Sequence, residues 1–229
     1  MAKQIKTSAE SYTTIDDKKH GEYKKLYSSG TLHIQCGYQN DLLEGDYLEY
    51  YPNEQLHIHC FYHNNQLEGE LKSYHPTGEL KVQTNYRGNQ KEGEYLKYHE
   101  NKQLDTRCFY RNDLIDGECK QYHENSQLYI HCSYRNGILE GEYLEYYPTG
   151  QLSIRKFYQN GMLENEYLRY YPTGQIHTHI HYRNGKKHGE GKIYYDSGQI
   201  ILDCIYQDDQ KLDGCKFYSK AGELQSKRF

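Results

Sequence analysis

The sequence predicts an all-β protein: an elongated single-sheet solenoid of consecutive antiparallel β-hairpins. Three observations predict it. A 24-residue unit recurs in constant register from Gly21 to the end of the 229-residue chain. Turn-forming residues fall at two fixed places in each unit. The segments between them are rich in Tyr, Leu, Ile and Cys, and none has the 3.6-residue spacing of a helix.

Units begin at Gly21, Gly45, Gly69, Gly93, Gly117, Gly141, Asn165, Gly189 and Asp213, and the last stops short at Phe229. The consensus is G-E-Y-L-x-Y-Y-P-T-G-Q-L-x-I-x-C-x-Y-x-N-x-x-L-E. Position 18 is Tyr in every complete repeat, from Tyr38 to Tyr206. Position 6 is Tyr from Tyr50 to Tyr218, with Leu26 the exception. Position 12 is always Leu or Ile. These nine repeats (21–229) form one domain, preceded by an irregular lead-in over residues 1–20.

The first turn is set by position 8, which holds all four prolines (Pro52, Pro76, Pro148 and Pro172), and by the recurrent Gly at position 10. Pro presets a type I turn and Gly takes the left-handed residue after it, giving a three-residue hairpin loop. The second turn, as in Arg135-Asn136-Gly137, joins one repeat to the next. A three-residue loop pairs position 7 with 11 and 6 with 12. With an uninterrupted ladder beyond it, positions 4, 6, 12, 14, 16 and 18 share one inner face, and 3, 5, 7, 13, 15 and 17 the other. A lone hairpin is unstable in water, so the repeats must pair edge to edge. Position 17 alternates: Phe61, Phe109, Phe157 and Ile205 against Gly37, Asn85, Ser133 and His181.

Composition supports a folded but unusual chain. Mean hydropathy is −1.10 and the pI about 6.3, yet there are 28 Tyr, 5 Phe and no Trp. Disordered chains are poor in aromatics, so amphipathic rings must carry the packing. A net charge of −4 argues against a nucleic-acid partner. No apolar run reaches the ~20 residues of a membrane-spanning helix, and the N-terminus carries no secretory signal. A cytoplasmic protein is expected, or one secreted into a host cell without a cleavable signal. Five of the seven Cys (Cys36, Cys60, Cys108, Cys132 and Cys204) share position 16. They are expected to be free thiols in the core.

Repeats such as Gly141–Leu152, followed by the Tyr182–Gly189 pattern Y-x-N-G-x-x-x-G, resemble the bacterial variant of the MORN (membrane occupation and recognition nexus) repeat. The resemblance covers residues 20–225. It implies hairpins in a curled sheet and a scaffold that holds partner proteins, with antitoxin-like or host-directed roles in some members and membrane association in others. Lipid- or partner-contacting residues do not transfer, because this chain has Tyr and no Trp, and a Pro-Thr-Gly turn.

Catalysis is not expected. The acid at position 2 (Glu22 to Glu190) recurs in the first eight repeats, which suits capping a turn amide or accepting a Tyr hydroxyl rather than chemistry. No catalytic triad order, phosphate loop or nucleotide fingerprint occurs. His57-Ile58-His59 and His177-Thr178-His179-Ile180-His181 have a spacing that can chelate zinc or copper. With no carboxylate expected beside them, neither a metal nor a cofactor is assigned. A partner protein is expected on the second face, through Tyr47, Tyr51, Phe61, Tyr95, Arg107, Phe109, Tyr143, Tyr147, Arg155 and Phe157, residue types enriched at interface hot spots. The alternative is peripheral membrane or phosphoinositide binding.

Overall fold

The computed structural model describes residues 1–228, which form 22 β-strands and no helix. The chain divides into two compact halves, Met1–Leu114 and Ile115–Phe229. In each, consecutive strands pair antiparallel in sequence order as one open sheet.

Repeat 2 shows how the sequence builds one hairpin from the strands Leu42–Tyr50 and Leu56–His63. The Glu54 amide donates to the Tyr51 carbonyl (2.9 Å) and the Tyr51 amide to the Gln55 carbonyl (2.8 Å). This is the predicted three-residue loop, with position 10 left-handed. Gly fills that position in six repeats, while Glu54, Lys102 and Ser126 adopt φ of 66°, 68° and 65°.

Just beyond the turn the ladder departs from expectation. Tyr50 pairs with Leu56, but Glu49 pairs with Ile58, so His57 is an extra residue in a β-bulge. The same shift recurs beside the turn of the other repeats. A one-residue slip exchanges the faces of everything past it. Position 3 therefore lies opposite 16, and 5 opposite 14. The predicted inner set of 4, 6, 12, 14, 16 and 18 is corrected to 3, 5, 7, 13, 14, 16 and 18. The opposite face carries 2, 4, 6, 12, 15 and 17.

Burial follows the corrected set. Tyr23, Cys36, Cys60, Cys108, Cys119, Cys132, Ile180, Leu202, Cys204, Tyr206 and Cys215 are buried, at positions 3, 14, 16 and 18, and Leu168, at position 4, is a buried apolar residue on the other face. Of the cysteines, Cys36, Cys60 and Cys132 are free and buried, as expected. Burial pushes the Cys36 and Cys60 thiols up to about 11. Cys204 is instead disulfide-bonded to Cys215, and Cys108 and Cys119 are likewise not free thiols. The correction has a geometric cause. Position 16 of one repeat lies across from position 3 of the next, as Cys36 does from Tyr47. The final repeat puts a Cys there, 4.4 Å away between Cα atoms, within reach of a bridge.

Between repeats, two left-handed residues make a type I′ turn, the form that suits the twist of paired strands. Asn64 and Asn65 adopt φ of 49° and 63°. Successive turns bind one another. The Leu67 amide donates to the Asn89 side chain (2.7 Å) and the Gly88 amide to the Glu68 carboxylate (2.8 Å). Asn160 with Glu140 and Asn184 with Glu164 repeat the second bond. The acid at position 24 therefore takes the turn-capping role expected at position 2. A second bulge follows, in which Glu44, Gly45 and Asp46 lie opposite the single residue Gly37. Its middle residue is left-handed (Gly45, φ 88°), the reason position 1 is Gly or, at Asn165 (φ 63°), Asn in the first eight repeats.

The expected irregular lead-in is regular. Ala2–Lys6 and Glu10–Ile15 form a hairpin, and Glu10–Ile15 pairs onward with Lys18–Leu26 across a left-handed Asp16-Asp17 turn. Tyr12 faces Tyr23, so the lead-in keeps the phase of the repeats.

Position 7 ties each repeat to the next. The Tyr27, Tyr51, Tyr147 and Tyr171 hydroxyls donate to the carbonyls of Tyr50, Tyr74, Tyr170 and Tyr194 at 2.6–2.9 Å. Tyr147→Phe is expected to lower stability by about 0.5–1.5 kcal/mol, read from the urea midpoint. An unchanged midpoint would mean that water replaces the bond without loss.

Candidate functional site

The two faces differ in kind. On the tyrosine face, rings at positions 3 and 18 pack in pairs: Tyr23 with Tyr38, Tyr47 with Tyr62, Tyr95 with Tyr110 and Tyr143 with Tyr158, at centroid distances of 5.6–6.1 Å. Lysines cover several of them. Lys19 Nζ lies 4.7–5.1 Å from the rings of Tyr12, Tyr23 and Tyr38, and Lys156 Nζ lies 4.2 Å from Tyr143. Tyr51 stacks on His57 at 4.3 Å, and His57 Nδ1 sits 3.3 Å from Glu49. Several polar tips here have partners, as Tyr23 with Glu10 and the position 7 hydroxyls with the carbonyls of the next repeat, and the face serves as the core of a one-layer fold.

The opposite face is a ladder of ion pairs. The acid at position 2 meets position 15 across the hairpin: Asp46 with His59 (2.9 Å), Glu94 with Arg107 (2.6 Å), Glu118 with His131 (2.8 Å) and Glu142 with Arg155 (2.7 Å). Lys at position 4 joins the rung where present, as Lys72 with Glu70 (2.6 Å) and Lys120 with Glu118 (2.8 Å). Lys120 and then His131 hold the Glu118 carboxyl below the usual range. These acids neither cap turns nor accept Tyr hydroxyls, as the sequence suggested; they pair with cations along the rungs. Position 17 stands among the rungs, and in alternate repeats the surface there is apolar. Phe61, Phe157 and Ile205 are 42%, 40% and 46% exposed, and the Arg107 guanidinium lies 5.6 Å from the Phe109 ring.

The ten residues expected on one binding face divide between the two. Tyr47, Tyr51, Tyr95, Tyr143 and Tyr147 lie on the tyrosine face, with Tyr51 and Tyr147 of position 7 in inter-repeat hydrogen bonds. Phe61, Arg107, Phe109, Arg155 and Phe157 lie on the charged face. The position 13 bulge causes the division. Sequence reasoning left out Ile205, which follows Phe61, Phe109 and Phe157 in the position 17 series, and the rung acids, which the period marks in every repeat.

The histidines divide for the same reason. His57 stacks on the tyrosine face while His59 pairs with Asp46 on the other, so this pair cannot chelate one ion. His177 stands with Tyr171 at 4.8 Å, whereas His179 and His181 stay together on the charged face, ring centroids 4.8 Å apart. Contrary to expectation, a carboxylate accompanies them: Glu166, 3.1 Å from His179 Nε2.

The fold and its two faces define a class of repeat module, a sheet assembled from interchangeable hairpins. The family model described as "MORN repeat variant" matches residues 19–40, 43–64, 67–87, 91–112, 115–136, 139–160, 163–184 and 187–208. The chain belongs to that family. A search of curated proteins finds no match to it. MORN repeats generally act as modules that bind proteins or membranes.

Proposed function

We propose that this chain is a non-enzymatic scaffold that binds a partner protein through the charged face, with the position 17 side chains as anchors. The observation that carries it is the exposure of Phe61, Phe157 and Ile205 beside the ion-paired rungs of this face. Large rings held on rigid strands and ringed by polar groups have the anatomy of interface hot spots. The rungs fix the surroundings of each anchor before binding, which lowers the ordering cost of association. The rows of acid at positions 2 and 24 disfavour an anionic lipid surface as the occupant. An antitoxin-like inhibitor or an adaptor delivered into a host cell would both use such a face, acting in the cytoplasm of one cell or the other.

Affinity capture from the source cell tests the reading. Phe157→Ser and Phe109→Ser are expected to lose the captured partner at least tenfold with circular dichroism unchanged, while Tyr51→Phe retains it. Capture that survives both Ser substitutions would overturn the assignment to this face. Flotation with anionic liposomes at low salt, abolished by the same substitutions, would replace the protein partner with a membrane.

A further inference from the structure

We propose that repeat 7 carries a site for a first-row divalent cation of the zinc type, made by Glu166, His179 and His181. This inference is independent of the partner-binding reading. One ligand atom from each residue lies within 4.8 Å of the others. All three side chains rise from adjacent strands, Met162–Tyr170 and Ile176–Arg183, where Glu166 and His181 are directly opposite in register. The His179 Nε2 to Glu166 Oε1 distance is 3.1 Å, close to the ~3.3 Å edge of a tetrahedron built on zinc bonds of about 2 Å. A small shift of the His181 side chain, with Nδ1 kept toward the Glu190 carbonyl, brings Nε2 to the same centre, and water completes the set, as in zinc sites with three protein ligands.

The surroundings favour the ion. His181 Nδ1 lies 3.2 Å from the Glu190 carbonyl oxygen. Donation from Nδ1 to that carbonyl leaves Nε2 with its lone pair for the metal, the usual support of a ligating imidazole. Leu168, 8% exposed and opposite His179 in register, supplies an apolar neighbour. Among the charged groups nearby, Glu142 is paired with Arg155 and Glu190 with Lys192. Glu166 is paired with the His179 imidazole and also feels the Arg155 charge, and its carboxylate supplies the negative charge that attracts a dication.

The remaining argument comes from the repeat itself. Positions 2, 15 and 17 read Glu94-Arg107-Phe109 in repeat 4, Glu118-His131-Ser133 in repeat 5 and Glu142-Arg155-Phe157 in repeat 6. Repeat 7 is the one in which both 15 and 17 are His beside the acid. A residue set serving the fold recurs in each repeat; this one occurs once.

The sister repeats also supply substitutions that preserve the fold. His179→Arg with His181→Phe copies repeat 6 onto repeat 7. The full chain, stripped with a chelator, is titrated with ZnCl₂ by calorimetry and with Co²⁺ by visible absorption. Wild type is expected to bind one Zn²⁺ per chain with a tetrahedral Co²⁺ spectrum. His181→Phe alone and the double variant should each weaken binding about tenfold or more, while His131→Gln leaves it unchanged. Absence of saturable one-to-one binding would overturn the proposal. So would undiminished affinity in the double variant, which would place the ion elsewhere on the chain.

Discussion

Between pH 8 and pH 11 the protein is expected to lose several kcal/mol of stability, measured as a fall in the urea midpoint. The cause is the tyrosine face. Burial, the largest influence in each case, raises the phenols of Tyr23, Tyr47, Tyr95 and Tyr143 at position 3. It does the same to Tyr38, Tyr62, Tyr86, Tyr110, Tyr182 and Tyr206 at position 18. A phenol raised in the folded state stays protonated while its unfolded counterpart ionises near 10. The folded state then holds more protons, so stability falls as pH rises. The contribution is intact below pH 10 and is lost as pH climbs toward the folded values. The buried thiols of Cys36 and Cys60, raised to about 11, act with the same sign. Water still reaches these half-buried rings, so each phenol is assigned only a few tenths of a kcal/mol, about the scale of a screened surface interaction. Ten of them acting together account for the expected loss. A midpoint that does not move, or tyrosinate absorbance appearing near pH 10 before unfolding, would refute the account.

The second large effect concerns a departure from consensus. Position 3 is Tyr in five repeats but Gly191 in repeat 8. Restoring the consensus by Gly191→Tyr is expected to destabilise the fold by about 1–3 kcal/mol, the usual cost of overpacking. A Cβ at Gly191 would stand 2.5 and 2.9 Å from two ring carbons of Tyr206, and 3.5 Å from Ile180. The Tyr206 ring has moved into the space that a position 3 side chain would fill, and it is 6% exposed. It packs there with Leu202, Cys204 and Cys215. Thermal or urea unfolding of the variant measures the effect, and a stabilised variant would show that Tyr206 can return to the paired arrangement at no cost.

Much of the fold was legible because turns are written in residue types. Pro at 8 and Gly at 10 declare the three-residue loop, and Asn, Asp and Gly at 20 and 21 declare the tight turn between repeats. The bulge was not legible. Its extra residue at position 13 is His33, His57, Lys81, Asp105, Tyr129, Ser153, His177, Ile201 or Gln225, a set with no shared backbone preference. What demands the bulge is the ladder as a whole, and no single position records it. The candidate site inherited that error. Phe61, Phe109 and Phe157 were rightly grouped with Arg107 and Arg155, since positions 15 and 17 lie on the same side of the bulge. The tyrosines at 3 and 7 were grouped with them by a parity that the bulge reverses. The unexpected Glu166 beside His179 and His181 follows from the same reversal, because it brings position 2 onto the face of 15 and 17.

The paired bulges also govern how such a chain can change in length. One follows the loop, the other sits at the start of each repeat, and together they return the strand to its original parity after 24 residues. Removing or adding a whole repeat therefore leaves every other side chain on its own face, whereas deleting one residue at position 13 turns over the rest of that strand. Length is thus quantised: the array can grow or shrink by unequal recombination in steps of one hairpin, changing its valency for a partner and not the character of either surface.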